Sequence, residues 1–434
     1  MQIKPDETYK QCKRVLFIRK KSLIHCGVKM QLVNEIYDHI LQAHKIIRKY
    51  IHWTPLDRSR TFSEMANCQL YLKLENLQKT GSFKARGATY KISQLSDEEK
   101  RRGVVAASAG NHAQGVAYAA KVFGVKATIF MPIYAPLSKI LATKSYGAEV
   151  VLHGLIVDDA VSKALEFARE KKRIFIHPYD DPLIIAGQGT IGMEIAHDLP
   201  DVDVVIVPIG GGGLISGIAV ALKKKLGNRV KIIGVQSKSF PYMYEKIKGI
   251  TIKDKPKYTI ADGIAVKKPG KLTSQLISTL VDDIVVVDDD EISEAIFLLL
   301  ERAKTVAEGA GAASLAAVLS GKVDVKNKKC VVVISGGNIN PTILMKIIGR
   351  ELVEKKRLVR LKITMPDRPG ALKDALTILA SARINIVDLS TTRFEPHVLP
   401  AESEVEIVAE VAEETLLQAT INDLKKKGFD VIVV

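Results

Sequence analysis

The sequence has few cysteines, a single tryptophan and few other aromatic residues. Among its 434 residues there are four cysteines, and no two of them form a CxxC pair. This spacing predicts free thiols in a reducing compartment and argues against a disulfide framework or a zinc site built on cysteines. With 47% hydrophobic and 6% aromatic residues, the composition is that of a globular protein of two or three domains with large buried cores.

No uncharged segment reads as a membrane helix. The longest, Val204–Leu222 ("VVIVPIGGGGLISGIAVAL"), has the necessary nineteen residues. However, Pro208 and four consecutive glycines would break a helix at its middle. We therefore predict a strand, a glycine loop and a helix. The N-terminal "VLFI" is too short for a signal peptide, so we expect a cytoplasmic protein without a membrane partner.

The charge is strongly basic, at +16, but it is not arranged as a nucleic-acid-binding surface. Residues 1–29 hold eight Lys and Arg residues against Asp6 and Glu7, and the remaining excess is spread along the chain. No helix-turn-helix, zinc-finger or RNP pattern accompanies it. We expect a solvated, lysine-rich surface and no nucleic-acid partner, with residues 1–29 forming a basic N-terminal extension.

From residue 30 to 352, short apolar runs alternate with amphipathic helical stretches. Eight of these runs predict buried strands: "QLYLKLE", "GVVAAS", "KATIFMP", "AEVVLHG", "DVVIVPIG", "KIIGVQ", "DIVVVD" and "KCVVVISGG". Continuous Val/Ile runs separated by helices indicate parallel sheets that are covered on both faces. We predict an α/β region of two parallel-sheet lobes, with ligands at the carboxyl ends of the strands.

Residues 358–434 show a different pattern. Their predicted order is strand, "PDRPG" turn, helix, strand, strand, helix and strand. This βαββαβ order is ferredoxin-like, and the charged "RELVEKKRL" before it reads as a linker or connecting helix.

Three loops that follow predicted strands carry the candidate chemistry. Gly210–Gly213 precede a helix, and glycines there let backbone N–H groups approach a phosphate. The loop lacks both the dinucleotide fingerprint and the P-loop lysine. "SAGNHAQG" from Ser108 places Asn111 and His112 where a carboxylate ligand would find N–H groups, and "ISGGNIN" places Ser335 at the end of a third strand. Three such loops predict one shared cleft.

Lys84 stands in "TGSFKARG", directly before a predicted helix. A helix N-terminus and burial both disfavour the ammonium form and lower the pKa of a lysine. A neutral lysine amine attacks carbonyl groups. A nucleophilic lysine with a separate phosphate cradle predicts pyridoxal phosphate held as a Schiff base.

These motifs together resemble a known family. "SFKARGA", "SAGNHAQG", "GGGGLISG", "ADGIAV", "EGAGAAS" and "ISGGNIN" resemble the serine/threonine dehydratases of the tryptophan-synthase-β group, the fold-type II pyridoxal-phosphate enzymes. "DRPGAL" and "INIVDL" resemble an ACT domain. The whole chain is thus similar to threonine dehydratases that carry one regulatory domain.

The resemblance implies a role for each candidate residue. Lys84 would carry the cofactor and remove the substrate Cα proton, Phe83 would lie against the ring, and Ser335 would face the pyridine nitrogen. Asn111 would bond the ring hydroxyl. The phosphate would be bound by Gly210, Gly211, Gly212, Gly213 and Leu214, and the substrate carboxylate by Ser108, Ala109, Gly110, Asn111 and His112.

The resemblance implies the conversion of L-threonine to 2-oxobutanoate and ammonia, which is the first step of isoleucine biosynthesis. L-Serine is expected as a second substrate. Serine racemases of the group have a second serine where this chain has Ala109, and relatives with a divalent-cation site have a glutamate where it has Gln236. Both differences favour the dehydratase, and no metal is expected. Serine racemase, serine dehydratase and a non-catalytic amino-acid sensor remain the alternatives.

The C-terminal unit is expected to bind a regulatory amino acid, isoleucine or valine. The "PDRPG" turn places Asp367 and Gly370 at a helix N-terminus suited to a carboxylate. Asn385 begins the next strand and could reach the ligand from a neighbouring unit, since such sheets often pair edge to edge. A homo-oligomer, dimer or tetramer, is therefore expected, although the unit could serve oligomerisation alone.

Overall fold

The computed structural model describes residues 30–393 and 395–434. The predicted basic extension, 1–29, lies outside the described residues. The chain divides into two compact units, and the second begins at Pro341. Within the described ranges, Cys68 and Cys330 are free thiols.

The elements are numbered in chain order. The strands are β1 Leu56–Arg58, β2 Gln69–Leu74, β3 Val104–Ala107, β4 Ala127–Met131, β5 Glu149–Leu152, β6 Ile174–Phe175, β7 Val204–Pro208, β8 Lys231–Ser237, β9 Asp283–Val287, β10 Lys329–Ile334, β11 Leu358–Pro366, β12 Asn385–Thr392, β13 Glu402–Glu410 and β14 Asp430–Val433. The helices are α1 30–47, α2 Arg60–Ala66, α3 Lys84–Ser93, α4 Asp97–Arg102, α5 Asn111–Val122, α6 Leu137–Ser145, α7 Val157–Glu170, α8 Pro182–Asp198, α9 Gly213–Leu226, α10 Tyr242–Lys248, α11 Lys271–Leu280, α12 Asp289–Ala303, α13 Gly309–Leu319, α14 Pro341–Glu354, α15 Ala371–Ser381 and α16 Glu414–Lys426.

The first unit contains two parallel sheets. The larger has the order β1-β2-β10-β7-β8-β9, and only its edge strand β1 runs antiparallel to its neighbour. The smaller has the order β5-β4-β3-β6 and is parallel throughout. Each sheet, with its helices, forms a lobe, which confirms the predicted two-lobed α/β class.

The strand sequences explain this arrangement. All residues of β3, β4 and β7 are buried, as expected for Val/Ile/Ala runs covered on both faces. The eight predicted strands are all present, but β5 is not buried as predicted, because it is an edge strand of the smaller sheet and all four of its residues are exposed or partly buried. The short β1 and β6 were not predicted, because strands of three and two residues leave no periodic pattern to recognise.

The second unit contains a four-stranded antiparallel sheet of order β12-β13-β11-β14. Its predicted βαββαβ order is confirmed. The core lies between the sheet and helices α15 and α16, where Leu361 and Ile407 pack with Leu379 and Leu424. Because β11 and β13 occupy the centre, the strands β12 and β14 are the edges.

Helices that could cross a bilayer are not found in residues 30–393 and 395–434. The uncharged segment from Val204 is divided as predicted: β7 ends at Pro208, glycines follow, and α9 begins at Gly213. The predicted start of that helix, near Leu214, differs by one residue.

Candidate active site

Lys84 is the first residue of α3 and follows a tight turn in which Thr80 and Gly81 both have positive φ angles. Its Nζ donates a hydrogen bond of 2.9 Å to the carbonyl oxygen of Pro178 and lies 5.1 Å from the centre of the Phe83 ring. Burial lowers the pKa of Lys84 to about 8, and the negative charge of Glu308 opposes this shift. A usable fraction of the amine is therefore neutral, and nucleophilic, near neutral pH.

The glycine loop joins β7 to α9 and presents unpaired backbone donors. Among the described residues, the N–H groups of Gly210, Gly211 and Gly212 have no protein acceptor. Gly212 has a φ of 96°, which a side chain would strain. These donors lie directly before the N-terminus of α9, so the loop suits an anion.

A segment after β6 connects the glycine loop to Lys84. A Cβ atom added to Gly211 would overlap the Tyr179 ring, so the aromatic ring packs directly on the loop. The Tyr179 hydroxyl donates to the Lys268 carbonyl at 2.9 Å, which fixes the ring over the glycines. Pro178 accepts from Lys84, and the next residue, Tyr179, packs on Gly211. These two adjacent residues therefore bring the Lys84 amine close to the glycine loop.

The loop Ser108–Gly110 ends β3 and leads into α5. The Ser108 hydroxyl accepts from the N–H of Gly110 at 3.1 Å, which tightens the loop. From α6, the Lys139 Nζ lies 3.9 Å from where a Gly110 Cβ would be, and it pairs with Asp262 of the larger lobe at 2.7 Å. The loop thus combines N–H groups with a nearby cation, which suits a carboxylate.

Ser335 follows β10 and is buried. Its hydroxyl contacts the Ala310 carbonyl at 3.3 Å, and its own carbonyl accepts from the N–H of Phe83 at 3.2 Å. This bond holds the end of β10 against the residue that precedes Lys84. The Ser335 side chain could therefore offer a cofactor ring only an uncharged hydroxyl group.

The chain is similar to known proteins over most of its length. The family model "Pyridoxal-phosphate dependent enzyme" matches residues 47–336, and the "ACT domain" model matches residues 359–429. An L-threonine ammonia-lyase of Thermotoga maritima is 49% identical over 398 residues, which are 92% of this chain and 99% of that protein.

The chain belongs to the threonine ammonia-lyase family of pyridoxal-phosphate dependent enzymes. Solved structures resemble it as well. Threonine deaminase isoform 2 of Solanum lycopersicum, in its processed form, has a TM-score of 0.69 and 36% identity, covering 74% of this chain and 88% of that one. Maize serine racemase has a TM-score of 0.68 and 35% identity, covering 74% of this chain and 98% of that one.

The residues present fit the cofactor of this lyase family. The unpaired N–H groups of Gly210–Gly212 match a phosphate, and the Lys84 amine matches an aldehyde. Ser335 and Phe83 lie next to Lys84 through the bond between their backbones. Leu214 packs its side chain into the core of the larger lobe, so only its backbone can serve the phosphate.

Asn111, the first residue of α5, is hydrogen bonded to two residues that had no predicted role. Its Nδ2 donates to Glu308 Oε1 at 2.5 Å, and its Oδ1 accepts from Asn338 Nδ2 at 2.7 Å. Burial, and then the charge of Asp262, raises the pKa of Glu308 to about 7. Glu308 lies in the motif "EGAGAAS" and Asn338 in "ISGGNIN". Nothing in the sequence around them indicates that they are partners of Asn111.

His112 has a different environment from the rest of its loop. Its ring is buried, and Nε2 lies 2.9 Å from the carbonyl oxygen of Ile176, to which it donates. Burial, with the nearby Lys84 charge, lowers the pKa of His112 to about 3. His112 is therefore neutral, and what it offers a carboxylate is its backbone N–H at the start of α5.

Gln236 fills a buried position at the end of β8. Its Nε2 donates to the Ile209 carbonyl at 3.2 Å, and its Oε1 accepts from the N–H of Tyr244 at 2.7 Å. Both ends of the amide are thus used within the protein. Groups of three or more His, Cys, Asp or Glu side chains that could hold a metal ion are not found in the described ranges.

The three predicted effector residues do not meet within one ACT unit. Asp367 and Gly370 follow β11, whereas Asn385 pairs across β13 with the beginning of β11. Asp367 accepts from Arg393 Nε at 3.1 Å, and Asn385 donates to Glu410 at 2.9 Å. One unit therefore places Asn385 at the opposite end of the sheet from the turn.

Proposed function

We propose that this protein converts L-threonine to 2-oxobutanoate and ammonia and, as a second activity, L-serine to pyruvate and ammonia. The observation that carries the lyase chemistry is the Lys84 amine, which has a pKa of about 8 and lies close to the glycine loop and to the start of α5. The similarity to an L-threonine ammonia-lyase along nearly its whole length supports threonine as the main substrate.

Lys84 acts twice in this proposal. Its neutral amine would hold the cofactor between turnovers, and during turnover the freed Lys84 Nζ would remove the substrate Cα proton. The cofactor, when bound, supplies the electron sink that stabilises the negative charge at Cα. The Cβ–O bond then breaks, and the hydroxyl takes the proton that Lys84 Nζ removed from Cα and leaves as water. A water molecule hydrolyses the released enamine to the 2-oxo acid and ammonia.

Other residues orient the substrate. The N–H of Ser108 donates to the Phe130 carbonyl at 3.1 Å and that of Gly110 to the Ser108 hydroxyl. The N–H groups of Ala109, Asn111 and His112, with the Lys139 cation, would therefore bind the carboxylate, which fixes the Cα–H bond relative to Lys84. Ser335 would give the pyridine nitrogen a neutral partner. A hydroxyl does not enforce ring protonation as an aspartate would, and the weaker electron sink favours prompt elimination.

Serine racemisation is the second candidate, because a serine racemase has a similar structure. Racemisation needs a proton donor on the face of the substrate opposite to Lys84. Ala109 has no titratable group to supply one, which supports elimination as the main outcome.

The test is 2-oxo acid and ammonia formation by the purified, cofactor-loaded enzyme with L-threonine and with L-serine, together with chiral analysis of the serine that remains. Lys84→Ala should abolish turnover, and borohydride reduction of the wild type should fix the cofactor mass on Lys84. Lys91→Ala is the control, since Lys91 lies on the same helix and pairs with Asp181 at 2.7 Å. Absence of 2-oxo acid from both substrates, or a reduced cofactor on another lysine, would contradict the proposal.

For the ACT domain we propose regulation by isoleucine, with valine as a possible opposing effector, in an enzyme that supplies 2-oxobutanoate to isoleucine biosynthesis. The turn Asp367–Gly370 is exposed. The N–H of Asp367 donates to the Ala401 carbonyl at 2.9 Å, so the N–H of Gly370 and those of the first turn of α15 would bind the effector carboxylate. Antiparallel pairing of edge strand β12 with the same strand of a second copy would bring Asn385 of one copy to the end of the sheet where the partner's turn lies. The site would then be complete only in a homo-oligomer, a dimer or tetramer.

A further inference from the structure

Asn111 lies beside the lysine that would carry the cofactor. One helical turn further along α5, a Cβ added to Gly115 would lie 3.0 Å from the backbone carbon and oxygen of Lys84. The start of α5 is thereby held against the start of α3. Only one hydrogen of the Asn111 amide nitrogen is used, in the bond to Glu308, and the other has no acceptor among the described residues. That hydrogen is available to a bound group.

The orientation of an asparagine amide is decided by its neighbours, because its oxygen and nitrogen have nearly the same shape. Here the two asparagine amides form a chain of hydrogen bonds that has an acceptor at each end. The Thr80 carbonyl accepts from Asn338 Nδ2 at 2.7 Å, and the same nitrogen donates to Asn111 Oδ1 at 2.7 Å. The Asn111 nitrogen must then face Glu308, whose oxygen accepts at 2.5 Å.

Both ends of this chain are themselves fixed. Asn338 packs on the turn before Lys84, since a Cβ on Gly81 would lie 2.5 Å from its Oδ1. Glu308 is only 4% exposed, precedes α13, and its N–H donates to the Gly336 carbonyl at 3.0 Å. Four loops that are distant in sequence therefore determine one amide orientation.

We propose that Asn338 and Glu308 are positioning residues that hold the Asn111 amide with its free N–H toward the cofactor ring oxygen. The inference rests on the proposed function only for the choice of L-threonine as substrate. Its main readout, the absorbance of the bound cofactor, does not depend on the substrate. Asn338 contributes because it donates to the Asn111 oxygen, and Glu308 contributes because it accepts from the Asn111 nitrogen. A hydrogen bond to the ring oxygen changes the electronic state of the cofactor, so loss of either partner should change the absorbance of the bound cofactor.

The experiment compares Asn338→Ala, Glu308→Ala and Glu308→Gln in the full-length, cofactor-loaded enzyme. Glutamine can still accept from Asn111 through its carbonyl oxygen, whereas alanine cannot. Asn34→Ala is the matched control, because Asn34 accepts from Lys224 at the surface at 2.8 Å. The readouts are the absorbance maximum of the bound cofactor, kcat and KM for L-threonine, and the thermal unfolding midpoint.

We expect both alanine variants to shift the absorbance maximum and to lower kcat by about tenfold or more, with a smaller change in KM. Glu308→Gln should keep the wild-type maximum and most of the turnover, and the control should match the wild type. If an alanine variant does not fold, Asn338→Asp tests the same point, because its carboxylate would turn the Asn111 nitrogen away from Glu308.

Two outcomes would overturn the inference. Unshifted absorbance in folded alanine variants would show that Asn111 does not depend on these partners. Equal defects in Glu308→Gln and Glu308→Ala would show that the charge of Glu308 matters, and not its acceptor oxygen. A wild-type enzyme that binds the cofactor but produces no 2-oxo acid would instead refute the proposed function, while the absorbance comparison could still be made.

Discussion

At the scale of single residues, the reactivity of the site depends on the environment of Lys84. The amine is surrounded by protein and has one carbonyl partner, Pro178, which cannot take its proton. Desolvation therefore outweighs the attraction of Glu308, and the pKa falls to about 8. An exposed lysine would keep a pKa near 10.4 and be almost wholly charged at neutral pH.

This pKa predicts the pH dependence of cofactor loading. Only the neutral amine attacks the aldehyde, so the loading rate of the apo-enzyme should rise about tenfold per pH unit below about pH 8 and level off above it. Stopped-flow absorbance between about pH 7 and about pH 10 would measure it. A rate that continues to rise to about pH 10 would indicate an unperturbed lysine and contradict the assignment.

Gly212 allows a second prediction at this scale. A side chain there would meet Ile277 at 2.8 Å and Thr273 at 2.9 Å, in a backbone conformation with φ of 96°. Gly212→Val should displace the loop and weaken cofactor binding by at least about tenfold, measured by titration of the apo-enzyme.

Gly227→Val provides the control for this change. Gly227 ends the same helix, also has a positive φ, and has open space around its missing side chain. Its substitution should cost stability, about 1–3 kcal/mol, but leave cofactor affinity intact. Equal affinity in both variants would count against the phosphate loop.

At the scale of elements, a buried group of charges joins α3 to the larger sheet and to α8. Arg86 donates to Glu75 at 2.7 Å and to Glu194 at 2.6 Å, and Lys73 donates to Glu194 at 2.6 Å. The four side chains carry two charges of each sign and are almost fully buried. The two carboxylates raise the pKa of Arg86, and Arg86 and Lys73 lower the pKa of Glu75 despite its burial.

Removing one charge from this buried group should lower the stability of the protein. Glu194→Gln should lower the free energy of unfolding by about 3–5 kcal/mol, because two buried cations would then share one carboxylate. Urea denaturation would measure the loss. Adding Lys73→Met should recover part of it, since charge balance returns and the two sites are in contact.

The control for Glu194 is Glu166→Ala on α7. Glu166 pairs with Lys163 at 2.7 Å, but both side chains are exposed. Water screens this pair, so its loss should leave the denaturation midpoint almost unchanged. Comparable losses in the two variants would show that the buried group has no special role in holding α3.

At the scale of the whole molecule, the chain consists of a catalytic unit and an ACT domain. Each has its own core, and the second unit contains its own complete antiparallel sheet. Regulation across them would require an effector that favours one state of the enzyme, by about 1–3 kcal/mol in ordinary cases.

Deleting residues 358–434 tests this organisation. The shortened enzyme should bind its cofactor and turn over threonine, but isoleucine and valine should no longer change its rate. Steady-state kinetics with and without each amino acid, and calorimetry on the full-length protein, would measure the effect. Failure of the full-length enzyme to bind or respond to either amino acid would refute these effectors and leave an oligomerisation domain as the simpler reading.

Local sequence was enough for much of the fold and for the chemistry-bearing loops. Buried Val/Ile runs determine parallel strands, consecutive glycines predict an anion loop, and Lys84 stands in a motif that is readable without a structure. These signals are short-range, because hydrophobic periodicity, glycine backbone freedom and helix starts act within a few residues.

The partners of those residues were decided by the tertiary structure. Asn111 meets Glu308 and Asn338 across 197 and 227 residues of chain. Tyr179 covers a glycine loop that follows a different strand, and β6, which leads to it, is too short to predict. Parallel sheets bring the carboxyl ends of sequence-distant strands to one edge. Which side chains meet there depends on strand order, and strand order is not written in any local pattern of this sequence.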